Sequence, residues 1–156
     1  ESGFAILQPV ERLAPMAVAS LSTQSPRLKS EVAASGFSYE GVIGAPSLTF
    51  GVLEDVKSLD GNTGVIRLDL SAQAGDAGGP VLDASGAVLG MLLPQEIKGR
   101  QLPEGVSFGV NAAALREALI AENIPMFVPA GRGAVLPNEA LVRQASGMTV
   151  LVSCWD

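Results

Sequence analysis

Histidine is absent from the 156 residues, and cysteine occurs once, at Cys154. A chain without histidine has no imidazole to act as a general base and lacks the usual histidine-containing metal sites. A single cysteine forms no internal disulfide and says little about the cellular compartment. We therefore expect this chain to use neither a metal ion nor a cofactor.

Basic residues are also scarce, since 10 Lys and Arg face 16 Asp and Glu, for a formal net charge of −6. An acidic chain is repelled by phosphate groups, which argues against nucleic acid or an anionic membrane surface as a partner. No apolar run approaches the 18 residues of a membrane-spanning helix, and no signal-peptide pattern opens the chain. A mature product whose signal had been removed would look the same.

Glycine, proline and small apolar residues are abundant. The chain has 18 glycines and 10 prolines, 47% hydrophobic residues and only 4% aromatic residues. This composition is typical of many short apolar strands joined by Gly/Pro turns, and the length suits one domain with a sizeable core. We expect an all-β fold with some helix.

The most specific motif is the segment at residues 75–80, Gly-Asp-Ala-Gly-Gly-Pro, here called the glycine-rich loop. Three glycines and a proline in so short a stretch require special backbone angles and predict a tight, shaped loop. Two apolar runs separated by a polar turn follow it and predict a β-hairpin over residues 81–93. The loop and hairpin resemble the nucleophile loop of trypsin-like and HtrA-like serine peptidases, whose pattern is Gly-Asp-Ser-Gly-Gly-Pro.

The resemblance places Ala77 at the position of the nucleophilic serine. Alanine has no hydroxyl, so no acyl-enzyme can form there. The backbone N–H groups of Gly75 and Ala77 would still form the oxyanion hole of such a peptidase. Asp76 either supports the loop, as in the family, or is an ordinary turn aspartate that accepts backbone N–H bonds.

The resemblance also implies a substrate-binding pocket. Ser71, six residues before Ala77, falls at the base of the primary specificity pocket, although a solvent-facing serine at a strand end fits equally well. Leu92 and Leu93, at the end of the hairpin, are the other substrate-binding residues that we predict. We do not assign Ser107 as a relocated nucleophile, because it lies in a predicted strand and the chain has no histidine base.

Other segments extend the resemblance over residues 3–122. Residues 47–53 and 105–111 are similar to barrel strands of the HtrA group, and Asn111 is a good N-cap for a helix over 112–122. A weaker likeness at residues 4–9 aligns Gly3 with the triad aspartate. The implied fold is the second, six-stranded antiparallel Greek-key barrel of a chymotrypsin-like peptidase, with a following helix and a short helix-strand tail. We divide the chain into the last strand of a first barrel plus linker (1–28), the second barrel with its closing helix (29–122), and a tail docked on the barrel (123–156).

Two functions are compatible with these residues. The first is a trypsin-like serine endopeptidase, inactive in this chain because alanine was substituted for its serine, with the first barrel in a piece outside this sequence. The second is a natural pseudo-peptidase that binds or scaffolds polypeptides. We expect the oxyanion hole to be kept in the first case and lost in the second. Expected partners are the first-barrel half or a second copy, and a polypeptide; the resemblance favours a periplasmic or secreted location.

Overall fold

Six strands form one closed antiparallel barrel in the computed structural model, which describes residues 3–58, 60–97 and 99–155. This confirms the predicted barrel. The strands in chain order are β1 (Glu31–Gly36), β2 (Ser47–Asp55), β3 (Val65–Asp69), β4 (Pro80–Asp83), β5 (Val88–Leu92), β6 (Glu96–Ile97), β7 (Arg100–Gln101) and β8 (Val106–Asn111). β6 and β7 form a separate two-stranded hairpin beside the barrel.

The order of strands around the barrel is β1-β2-β3-β8-β5-β4, with β4 closing onto β1. β1, β2 and β3 are joined consecutively, and the chain then crosses so that β4 lies beside β1, which is a Greek-key connection. The crossing segment is residues 70–79. It contains most of the glycine-rich loop, so the connection that completes the barrel also carries the candidate site.

Apolar side chains pack on both surfaces of the barrel wall. One cluster fills the interior and includes Leu53, Ile66 and Leu68, each 1% exposed or less. A second cluster lies outside the wall and includes Leu82 and Val88. Because neighbouring strand residues face opposite sides, Val81 points to the first cluster and Leu82 to the second.

Two helices follow the barrel, α1 (Ala112–Ala121) and α2 (Asn138–Met148). The predicted N-cap is confirmed, since Asn111 accepts a hydrogen bond from the backbone N–H of Ala114 at 2.9 Å. α2 buries Leu141 and Ala145 against the outer cluster. Neither helix has the length and apolar character needed to cross a membrane.

The predicted strand at the end of the tail is wrong. Within the described residues, 149–155 contain no regular secondary structure, and most of their side chains are exposed. The alternating Thr-Val-Leu-Val pattern favours a strand locally, but a strand also needs a neighbour, and the closed barrel offers no free edge. The apolar segment at residues 4–9 likewise forms no strand in the described part of the chain.

Candidate functional site

A tight turn opens the glycine-rich loop. The N–H of Asp76 donates to the carbonyl of Gln73 at 3.1 Å, which closes a four-residue turn. Gly75, the third residue of that turn, has φ of +92°, whereas Ala74 is not among the residues with positive φ. This combination defines a type II turn, which requires glycine at its third position and fixes the orientation of the Ala74–Gly75 peptide.

The backbone N–H groups of Gly75 and Ala77 are available as donors. Among the described residues, neither group donates to a backbone or side-chain acceptor, and both residues are exposed. The neighbouring N–H groups are occupied: Gly78 donates to the carbonyl of Leu92 at 2.8 Å and Gly79 to that of Asp76 at 3.0 Å. The loop is therefore fixed to β5, while the N–H groups of two exposed residues remain without an acceptor in the described part of the chain.

Asp76 holds the loop through hydrogen bonds to its buried carboxylate. Its carboxylate is 3% exposed and accepts hydrogen bonds from Ser38 Oγ and from the backbone N–H of Gln73, each at 2.7 Å. Ser38 Oγ also lies 2.7 Å from Ser47 Oγ. Because the Ser38 proton is used on the carboxylate, the Ser47 hydroxyl must donate to Ser38. The result is a chain of hydroxyls that ends on Asp76, while the bond from Gln73 is the backbone contact expected of an ordinary turn aspartate.

Glycine at two positions lets the loop approach strand β1 closely. A Cβ atom at Gly79 would lie 1.8 Å from the carbonyl oxygen of Ser35. A Cβ atom at Gly36 would lie 2.5 Å from Cα of Asp76. Since real Cβ atoms do not approach backbone so closely, the loop needs glycine on both sides of this contact.

A pocket of about 540 Å³ opens beside the loop. It is named here the loop pocket, and its lining consists of residues 71–75, 77, 93–96 and 101–105. The loop supplies one wall through Gly75 and Ala77, and the segment around the β6–β7 hairpin supplies the other. Its volume lies within the usual range for ligand-binding sites, about 300–1,000 Å³.

The predicted site residues fall in three places. Ser71, Gly75, Ala77 and Leu93 line the loop pocket, and Asp76 lies buried beneath the loop. Leu92 does not reach the pocket, which corrects its prediction as a substrate-binding residue. Its side chain is 1% exposed in the interior cluster, because adjacent residues of the strand end face opposite sides.

Sequence reasoning missed the polar residues of the facing wall. Gln95, Glu96 and Glu104 line the loop pocket, and no Lys or Arg is among its described lining residues. They belong to a polar, Pro/Gly-containing excursion, and no local signal shows that it folds back toward the loop. Within the described ranges, no group of three or more Cys, Asp or Glu side chains could hold a metal ion.

Gly3 lies at the edge of the same region. A Cβ atom at this position would be 3.3 Å from Cδ2 of Leu93, which lines the loop pocket. The resemblance aligned Gly3 with the triad aspartate, and the structure does bring that position next to the pocket. A glycine there supplies no carboxylate.

Comparison with known proteins identifies similar sequences. Residues 1–91 match the family described as "Trypsin-like peptidase domain". The chain is also 27% identical over 136 residues to the uncharacterised protein y4bJ of Sinorhizobium fredii. That alignment covers 82% of this chain but 21% of y4bJ, so the chain spans about a fifth of the length of that relative.

Two solved structures that share the architecture of this chain are proteases. The active form of the Rv3671c protease from M. tuberculosis superposes with a TM-score of 0.52 at 18% identity, covering 72% of this chain and 51% of that one. A serine endoprotease from Yersinia pestis superposes with a TM-score of 0.52 at 20% identity, covering 69% of this chain and 35% of that one. At these identities the likeness concerns the fold, and this chain spans about half or less of either protease.

Proposed function

Because this chain belongs to the family of trypsin-like peptidase domains, we propose that it binds a polypeptide in the loop pocket without cleaving it. One observation carries the proposal: Gly75 and Ala77 line the same pocket, and among the described residues neither backbone N–H donates a hydrogen bond. The site keeps the donors that would hold a peptide carbonyl and lacks the hydroxyl that would attack it.

The physical basis for binding is the unused hydrogen-bonding capacity of the loop. Exposed N–H groups of Gly75 and Ala77 are fixed in place by the turn and by the bonds to β5. A peptide carbonyl that reaches them replaces water with preorganised donors, which reduces the entropy that binding costs. The remaining volume of the loop pocket is then available to a side chain of the bound peptide.

The basis for the absence of cleavage is the loss of every expected triad group. Ala77 has no nucleophile, Gly3 has no carboxylate, and the chain has no histidine. Since triad members act as a unit, loss of the serine alone lowers kcat by roughly six orders of magnitude in a serine peptidase. We therefore expect the 156-residue chain to have no measurable peptidase activity.

A peptide array provides the test. The purified chain is applied to immobilised 10-residue peptides, and the Ala74→Trp variant is applied in parallel. Ala74 is exposed and lines the loop pocket, so an indole there fills the site without disturbing the core. We expect the chain to retain a subset of peptides, A74W to lose them, and eluted peptides to be intact by mass spectrometry.

The matched control is Ala121→Trp, the same substitution at an exposed residue of α1 outside the loop pocket. It should retain the same peptides as the unmodified chain. Equal loss of binding in both variants, or no retention by the unmodified chain, would reject peptide binding at this pocket. Cleaved peptides would reject the absence of activity.

A second candidate is a serine endopeptidase in which Ala77 replaces the native serine. The observation that favours it is the type II turn at Gly75 together with the uncommitted N–H groups of Gly75 and Ala77, as expected where an oxyanion hole is kept. The Ala77→Ser change in the complete gene product would distinguish the two. Strong cleavage by that protein would support the endopeptidase and reject the pseudo-peptidase, whereas a folded but inert protein would do the reverse.

The domain boundaries are part of the proposal. Residues 1–28 would be a linker that also supplies the last strand of a first barrel once that barrel is present to pair with it, 29–122 the second barrel with α1, and 123–156 a tail on the barrel. Contacts of the tail support its docking: Gln144 Nε2 donates to the Gly86 carbonyl at 2.8 Å, and Thr149 Oγ1 lies 3.0 Å from Ser35 Oγ. The partner that completes the fold would be the first-barrel half or a second copy of this chain.

A further inference from the structure

A buried hydroxyl lies behind the wall of the loop pocket. Ser107 is in β8, has no exposed surface, and donates its hydroxyl proton to the carbonyl of Leu70 at 2.9 Å. Its oxygen therefore has only acceptor capacity left. Leu70 immediately precedes Ser71, which lines the pocket, so the Ser107 oxygen lies close behind the pocket wall.

The side chain of Gln95 covers this hydroxyl. Gln95 Nε2 donates to Ser107 Oγ at 2.7 Å, and Gln95 itself lines the loop pocket, whereas Ser107 is not among the described lining residues. The backbone of Gln95 is held by the base of the β6–β7 hairpin, where its carbonyl accepts from the N–H of Leu102 at 2.8 Å. The carboxamide extends from a fixed backbone to the Ser107 oxygen.

We infer that Gln95 is an internal plug of the loop pocket, whose carboxamide occupies the place of a ligand side chain ending in an N–H donor. This inference rests on the proposed peptide-binding function and adds the class of residue that the pocket selects. A ligand that displaces Gln95 must satisfy the buried Ser107 oxygen, since an unpaired buried acceptor is costly. A carboxamide, an ammonium or a guanidinium group meets that requirement.

Other side chains fail for identifiable reasons. An apolar side chain would remove Gln95 and leave the Ser107 oxygen without a donor. A carboxylate would place one acceptor against another and would also approach Glu96 and Glu104, which line the pocket. The same two carboxylates favour an ammonium or guanidinium group over a neutral amide, by an amount that solvent screening reduces.

Four peptides test the inference on the full chain. Each has the sequence acetyl-Ala-Ala-X-amide, where X is lysine, glutamine, norleucine or glutamate, and each is titrated by NMR into isotope-labelled protein. We expect the lysine and glutamine peptides to bind more tightly than the norleucine and glutamate peptides. Removing the plug by Gln95→Ala should raise the affinity for the first two about tenfold, if the plug is displaced about a tenth of the time.

Two further variants make the result specific. Ser107→Ala removes the acceptor, so the preference for lysine over norleucine should fall markedly toward one. Gln24→Ala makes the same truncation as Q95A at an exposed residue outside the loop pocket, and should change no affinity. If S107A does not fold, the comparison of Q95A with Q24A decides alone.

The outcomes separate the inference from the function on which it rests. Binding of all four peptides with similar affinity, or a Q95A variant whose affinity for the lysine and glutamine peptides is unchanged, would overturn the plug while leaving peptide binding intact. Binding of no peptide by any variant would overturn both. Tighter binding of the lysine and glutamine peptides by Q95A, with no such gain in Q24A, would support the plug.

Discussion

Asp76 is the residue on which the shape of the glycine-rich loop depends. Its carboxylate is buried and receives one of its hydrogen bonds from Ser38 Oγ at 2.7 Å. Replacing Ser38 with alanine leaves that oxygen without its hydroxyl donor. We expect S38A to lower the free energy of unfolding by about 1–3 kcal/mol, because a buried acceptor keeps its desolvation cost when its donor is lost. Urea denaturation followed by circular dichroism measures this change.

Ser47→Ala is the matched control, since it removes an equivalent hydroxyl one hydrogen bond farther from the carboxylate. S47A should lower the free energy of unfolding by less, about 0.5–1 kcal/mol, because the group that loses its donor is the neutral Ser38 hydroxyl. If S38A proved as stable as S47A, the hydroxyl chain would not be what holds Asp76.

Single residues of the site could be predicted only where they are close in sequence. Gly75, Asp76 and Ala77 are contiguous, so one motif indicated all three. Ser38 lies 38 residues before Asp76 and reaches it only because β4 closes onto β1. Apolar pattern alone also could not decide which of Leu92 and Leu93 faces the pocket, and the barrel places Leu92 inside.

At the scale of elements, contact between the loop and β1 depends on glycine. Gly79→Ala would place a Cβ atom 1.8 Å from the Ser35 carbonyl oxygen, and backbone cannot move aside as a flexible side chain can. We expect G79A to destabilise the chain by about 3 kcal/mol or more through overpacking. The comparison is Gly131→Ala, where no atom lies within 4 Å of the new Cβ, and whose effect should stay within about 0.5 kcal/mol. Equal urea midpoints for the two variants would contradict the close approach.

Strands and helices were predicted well where the local apolar pattern agrees with the neighbours that the fold supplies. Strands β2 and β3 follow apolar alternation bounded by turn residues, and α1 follows its cap. Residues 149–155 have the same local pattern, but the closed barrel leaves them no free edge to join, and they form no strand. Strand pairing is a property of the completed barrel, which a short window of sequence does not contain.

At the scale of the whole molecule, the segment before the barrel exposes apolar side chains. Leu7, Leu13 and Met16 are 67%, 70% and 88% exposed. Exposed apolar surface of this kind is typical of an interface. We expect the chain to associate reversibly with itself at high concentration, or to bind a first-barrel fragment where one is present. Sedimentation velocity over a concentration series would detect the self-association.

Leu7→Asp combined with Leu13→Asp should weaken this association, whereas Val135→Asp, at an exposed apolar residue of the tail, should not. A chain that sediments as a monomer at every concentration and binds no first-barrel fragment would show that this segment is not an interface.

The central claim is that the chain keeps the loop of a serine peptidase without its nucleophile. The most direct measurement is the intact mass of the purified chain after exposure to a fluorophosphonate, which modifies activated serine hydroxyls. Because residue 77 is alanine and the chain contains no histidine base, we predict that the mass stays unchanged. Addition of one phosphonyl group to the chain would contradict the claim.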